Sequence, residues 1–183
     1  MRVYLFAVVL LTATSGAQAA VQDLPNFVAY PEGFASAGQP NAAQYVEIAE
    51  AGYDRVIYLA YNDSPQIKGS NDRDAHAAGL DYIHVAVRFD EPRYTDFAAF
   101  AALMQMSDQH TLVHCQVNYR ASAFSFLYRV IYEDVAVADA KQAVDAVWQP
   151  NETWQAFMRA TLEKHGKSMD CAGCDWRSDG TKD

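Results

Sequence analysis

Basic residues are scarce in this chain. Lys and Arg number 14 against 23 Asp and Glu, for a formal net charge of −9. That balance argues against nucleic acid and anionic membrane surfaces as partners, since both select for positive charge. Long apolar runs are missing as well. The most apolar stretch, Val3 to Leu11, is about half of the roughly 20 residues a membrane-spanning helix requires. It follows Met1-Arg2 and precedes Ala17-Gln18-Ala19. A charged start, a short apolar run and a small-residue cleavage site read together as a secretory signal peptide cut before Ala20. Export to the periplasm or beyond is expected, without stable membrane insertion once residues 1–19 are gone. Internal repeats and low-complexity linkers are also absent, so one domain is expected over residues 20–170, followed by a polar tail at 171–183. A hydrophobic content of 51%, with 13% aromatic residues, excludes a disordered chain and supplies a core.

The three cysteines fall into two groups. Cys171 and Cys174 form a C-x-x-C with polar flanks, Gly166 to Asp170 and Asp175 to Arg177. A thioredoxin-like redox motif needs a strand before and a helix after, so a small structural disulfide is expected in an oxidising compartment, with metal binding beside His165 as the alternative. Cys115 is left as a lone thiol.

Strand and helix patterns alternate along the domain. Phe34 to Ala37 reads as a short edge strand, Ala42 to Ala51 as a helix ended by Gly52, and Asp54 to Ala60 as a central strand. Asn62 to Ser70 is rich in turn residues and reads as loop. A short helix over Asp72 to Ala78 and a strand over Tyr82 to Val87 follow. Thr95 is a suitable N-cap for a helix over Asp96 to Met106. Thr111 to His114 is the next strand, with helices over Ala121 to Tyr132, Ala136 to Val147 and Thr153 to Lys164. Such alternation with short connections predicts an α/β fold built on a mostly parallel four- to five-stranded sheet flanked by helices. Ligands bind such sheets at the carboxyl ends of the strands, where Cys115 and the loop after Val87 are both placed.

Thr111 to Arg120 is therefore the stretch richest in chemistry. An apolar strand delivers Cys115 to a short loop that ends in Arg120 and a helix. Backbone N–H groups and the positive end of a helix converge there, which favours a thiolate and an oxyanion beside it. The arginine adds a planar fork of donors for the same anion. A buried cysteine at a strand end is more often inert core, and an arginine nearby is common by chance. The combination with His114, the following helix and the Gly38-Gln39-Pro40 turn is what points to an anion-binding cysteine site. Tyr53, Tyr58, Tyr61 and Tyr82 read as core and rim, and His76, His84 and His110 as structural.

These residues resemble the dual-specificity-like cysteine phosphatases, in particular the compact bacterial branch grouped with the beta-lactamase-hydrolase-like phosphatase domains. The matching stretches are Ala35 to Pro40, Ala51 to Leu59 and Val113 to Ser122. The resemblance implies a single-domain dual-specificity-phosphatase-like fold and hydrolysis of a phosphorylated substrate without metal or cofactor. Cys115 would be the nucleophile, Arg120 would hold the phosphoryl oxygens, and Gln116, Val117, Asn118 and Tyr119 would line the substrate loop. His114 would orient that loop. The family takes its general acid from an aspartate in the loop before the helix that leads to the cysteine strand. Asp90 stands there, with Glu91 and Asp96 as neighbours. Where the family commonly has Ser or Thr after the arginine, this chain has Ala121, with Ser122 next.

One departure keeps a second chemistry open. The best-known cysteine phosphatases have one more residue between cysteine and arginine than the four found here, Gln116 to Tyr119. The compact bacterial branch shares the shorter spacer, usually with glycine at the place of Asn118, and asparagine is the residue that best replaces glycine at positive φ. A four-residue spacer is also similar to that of rhodanese sulfurtransferases, whose loop cradles a persulfide. Phosphatase, sulfurtransferase and inactive phosphate-binding module are the three functions carried forward.

Overall fold

Five strands form one sheet in the order β1-β2-β5-β3-β4. They are β1 (Val28–Ala29), β2 (Ala35–Ala37), β3 (Arg55–Tyr58), β4 (Asp81–His84) and β5 (Thr111–His114). The computed structural model describes residues 19–61, 71–106 and 108–176. Residues 1–18 of the expected signal peptide, the loop 62–70 and the tail beyond Trp176 lie outside the described residues. β2, β5, β3 and β4 run parallel, and only β1 pairs antiparallel, on β2. Phe34 to Ala37 is therefore not an edge strand. A two-residue strand too short to leave a period-two pattern covers its outer side.

Register fixes the working end of the sheet. Ala37, His114, Tyr58 and His84 lie in one row across the four parallel strands. Cys115 is the first residue past that row on the central strand. β3 and β5 are buried at every position, as expected for parallel strands covered on both faces. Their alternating side chains divide the core in two. Ile57 and Val113 join one cluster, with Phe97, Phe100, Phe124 and Trp154. Val56 and Leu112 join the other, with Ala35, Ala37, Tyr45 and Ile48.

The helices are α1 (Ala42–Glu50), α2 (Asn71–Ala77), α3 (Tyr94–Gln105), α4 (Tyr119–Tyr132), α5 (Val137–Asp145) and α6 (Glu152–Lys164). α4 follows Cys115 and is buried without interruption from Arg120 to Val130, the mark of a helix surrounded by protein rather than lying on a surface. α3 begins at Tyr94, with Arg93 in the cap position and no side-chain cap. Thr95 is thus inside the helix, and its hydroxyl turns to Asp96 instead (3.4 Å).

Both ends of the described chain are tied to the domain. Val21 and Leu24 are buried in the cluster around Tyr45 and Ile48. At the other end Cys171 and Cys174 form a disulfide, and Trp176 docks beyond it. The Trp176 indole donates to the Met169 carbonyl (3.1 Å), meets Phe126 edge-on (5.5 Å) and lies under the Lys141 ammonium (4.7 Å). Leu24→Ala tests the N-terminal attachment. It should cost about 2–4 kcal/mol of stability, as a truncated buried leucine does, read as a lower urea midpoint.

Candidate active site

The turn from β5 into α4 is made by Gln116, Val117 and Asn118. A chain leaving a strand and entering a helix this quickly needs one residue in the left-handed region, and Asn118 adopts it at φ +71°, where asparagine is tolerated better than most residues. The helix starts at Tyr119, two residues before the expected Ala121. Asn118 holds the N-cap position, yet its side chain caps nothing. By contrast, Asn41 caps α1 and Asn151 caps α6 through their side-chain oxygens. The first N–H groups of α4 therefore keep no intrahelical or side-chain partner, and a helix start in that condition is suited to receive an anion.

Cys115 is the only free cysteine among the described residues. It is wholly buried, and its N–H is tied to the Ala37 carbonyl (3.2 Å). The chain after β2 forms the loop's other wall. Gly38 bridges to Val117, and the Gln39 N–H donates to the Gln116 carbonyl (3.0 Å). Gly38 is required there, because a Cβ would come within 2.8 Å of the Pro25 Cβ and 2.9 Å of the Gln116 carbonyl oxygen. Val117 is exposed at the loop tip, while Gln116 and Tyr119 are partly buried.

Arg120 is 8% exposed, and its Nε finds no hydrogen-bond partner among the described residues. Its guanidinium lies over the Phe89 ring, 5.2 Å from the centroid. Phe89 is fixed in turn by the Trp154 indole, which donates to its carbonyl (2.9 Å), and it packs against Trp148 and Tyr119. Tyr119 and Trp148 stack almost in parallel at 4.5 Å. Ser122 serves this wall. It accepts from the Trp148 indole (3.2 Å) and donates to the Tyr119 carbonyl (3.1 Å). Phe89, Trp148 and Trp154 escaped sequence reasoning, since aromatics in loops and a distant helix carry no local sign of meeting.

His114 lies on the sheet side of the thiol, away from the loop mouth. Its ring packs on Tyr58 (4.9 Å) and approaches the Tyr45 hydroxyl (Nε2 to Oη 3.4 Å). Tyr45 is tied through Gln39 to Asn71. Burial pushes the His114 imidazole down from 6.5 to about 3, so it is neutral near neutrality and adds no charge to the site. The ring is wholly buried between Tyr58 and Tyr45 at the end of the strand.

Asp90 sits in the loop between β4 and α3, as expected, and is exposed. Arg88 grips both of its oxygens (2.6 and 3.1 Å). That hydrogen-bonded fork is the main reason its carboxyl is held below the usual range, and Arg120 contributes to the same effect. Glu91 faces Arg93 (2.9 Å) and, at 3.8 Å, Arg88. Asp96 is in the first turn of α3, where a carboxylate suits the helix dipole. His165 is engaged by the Tyr94 hydroxyl (3.2 Å), and the cysteine pair is joined as a disulfide. Among the described residues no group of three or more His, Cys, Asp or Glu side chains is placed to hold a metal ion.

The neutral, buried His114 makes stability depend on acid. The unfolded chain takes up a proton near pH 6.5 that the folded chain refuses until about 3. The stabilising contribution is therefore complete above pH 6.5 and is lost as pH falls toward 3. His114→Gln should unfold with a shallower pH dependence than the wild type between about pH 7 and about pH 4, measured by urea titration across that range.

No family model matches the chain. A beta-lactamase hydrolase-like protein of Xylella fastidiosa is 31% identical over 103 residues, covering 55% of this chain and 24% of that protein. The match thus spans about a quarter of the curated relative's length. Among solved structures, a Shewanella putrefaciens CN-32 protein described as "Putative phosphatase (DUF442)" shares 29% identity, with a TM-score of 0.74 over 80% of this chain and 97% of that one. TpbA of P. aeruginosa, at 15% identity and a TM-score of 0.60, matches over 74% of this chain and 84% of its own and speaks for the fold alone. The chain thus shares its fold with these structures, and its similarity in sequence is to a protein described as a phosphatase and to part of a beta-lactamase hydrolase-like protein.

Proposed function

We propose that the protein hydrolyses phosphomonoesters, phosphotyrosine and phosphoserine side chains included, through a phosphocysteine intermediate, as an exported enzyme. The observation that carries this reading is the pairing of Arg120, buried with an unpartnered Nε, with the uncapped start of α4 next to Cys115. Buried donors without acceptors are costly, and a tetrahedral oxyanion would supply acceptors to both. The Cys115 thiolate attacks phosphorus. The S–P bond forms as the bond to the leaving oxygen breaks, and Arg120 with the loop amides stabilises the charge on the remaining oxygens. Water then displaces the cysteine, releasing inorganic phosphate and restoring the thiolate.

Asp90 is the candidate to protonate the leaving oxygen and later to take a proton from water. Arg88 favours the ionised carboxylate, which suits the second step and opposes the first. Arg88→Gln removes that bias, so the carboxyl should hold its proton to higher pH. The alkaline limb of kcat should move upward for substrates with poor leaving groups. Asp90→Asn should lower kcat by about 10²–10⁴ for alkyl phosphates and far less for an activated aryl phosphate. An alkaline limb that stays in place in Arg88→Gln would remove Asp90 from the acid's role.

Sulfur transfer is the second reading. It is favoured by one observation, that Cys115 has no exposed surface, which suits a single sulfur better than a phosphoryl group. Mass spectrometry of the protein after brief mixing with an aryl phosphate, and separately with thiosulfate, distinguishes a phosphoryl adduct on Cys115 from a single added sulfur. The phosphatase reading expects the former, abolished turnover in Cys115→Ser and a loss of about 10²–10³ in kcat for Arg120→Lys, whose ammonium cannot span two oxygens. Thiocyanate release from thiosulfate and cyanide without phosphatase turnover would establish the alternative.

A further inference from the structure

Asn26 lies outside every stretch that the phosphatase resemblance covers, yet it makes two of the contacts that shape the loop. Its Nδ2 donates to the Val117 carbonyl (3.0 Å), and its own carbonyl accepts from Asn118 Nδ2 (2.5 Å). Both terminal amides face carbonyl oxygens, which settles their nitrogen and oxygen assignment. One residue earlier, the Pro25 carbonyl accepts the Gly38 N–H (2.6 Å). The segment 25–26 thus holds both walls of the site, the loop after β5 and the chain after β2. It can do so because Val21 and Leu24 are buried just upstream and because Asn26 adopts a positive φ of 51°.

We infer that Asn26 is a positioning residue for the anion loop, and that it keeps the start of α4 uncapped. Two consequences of its bonds support this. An asparagine at an N-cap ordinarily turns its oxygen onto the helix amides. Asn118 instead points its amide at Asn26, and its Oδ1 is left buried and unpartnered. The same clamp holds the Val117–Asn118 peptide. A planar trans peptide directs its C=O and N–H to opposite sides, so tying the oxygen to Asn26 fixes the side on which the Asn118 N–H emerges. A half-turn of that peptide would exchange a donor for an acceptor in the wall of an anion site. The Gly38 bridge and the Gln39 N–H hold the loop from the side of β2, and the brace on this peptide's oxygen comes from more than 90 residues away in sequence.

This inference rests on the phosphatase reading for the identity of the anion, and the test separates the two. Asn26→Gly preserves the positive φ and the backbone carbonyl while removing the side-chain donor. Asn26→Asp also preserves the carbonyl but opposes the Val117 oxygen with a carboxylate. Vanadate should bind Asn26→Gly about five- to tenfold more weakly than wild type, the loss of one net hydrogen bond, and KM for an aryl phosphate should rise in step with kcat little changed. The thermal midpoint should stay close to wild type. Amide hydrogen exchange at Val117 and Asn118 should quicken at least tenfold in both variants, while the interior of α4 exchanges as before. Wild-type vanadate affinity together with wild-type loop exchange in Asn26→Gly would overturn the inference. Failure of the wild-type protein itself to bind vanadate would overturn the phosphatase reading, and the exchange rates would still decide the role of Asn26.

Discussion

The left-handed turn at Asn118 is the constraint on which the site depends. Four residues separate Cys115 from Arg120, and within them the chain must leave a parallel strand, reverse and wind into a helix. One positive φ achieves this, and it places an asparagine where a helix start would normally be capped. Had Asn118 behaved as Asn41 and Asn151 do, its oxygen would occupy the amides that an anion needs. The shortness of the loop and the openness of the helix start are thus one problem, solved by directing a single side chain to a distant carbonyl.

Electrostatics follow the same economy. The chain is acidic overall, at −9, so attraction for an anion has to be local. His114 contributes no charge, because burial keeps it neutral. Arg88 and Arg93 are committed to Asp90 and Glu91. What remains is Arg120 and the helix start. Arg120 is 8% exposed and rests on the Phe89 ring, which places its charge in a poorly screened setting, where an interaction with an anion is strengthened. The aromatic face stabilises the cation without satisfying its hydrogen-bonding groups, which leaves the Nε free for an acceptor.

Much of this could be seen in the sequence, for reasons that differ residue by residue. β5 was legible to the residue because Leu112 and Val113, after the β-branched Thr111, form a short apolar segment that stops at His114 before a polar loop. The placement of Cys115, Arg120 and the loop bearing Asp90 beyond the carboxyl ends of the parallel strands was legible from the alternation of strand and helix. The start of α4 was read two residues late, since hydrophobic periodicity does not register an αL residue. Thr95 looked like a cap because cap preference is a local statistic, and the fold set the helix start earlier. β1 was too short for any periodic signal. Asn26 follows a proline and so reads only as a turn. No local pattern tells of a partner more than 90 residues away.

The C-terminal region shows the same limit from the other side. Sequence reasoning found helices there and named no residue of theirs at the site, because amphipathic helices announce a buried face without announcing what it meets. The turn before α6 and the first turn of α6 place Trp148 and Trp154 around Phe89 and Tyr119, and Phe89 supports the guanidinium of Arg120. Ser122, the residue next after Ala121, is bonded into that wall by the Trp148 indole. The turn before α6 and the first turn of α6 therefore support the ring on which the arginine rests and take up the Ser122 hydroxyl. The geometry of the loop is a property of the whole domain, built from the segment before β1 on one side and the chain after α4 on the other.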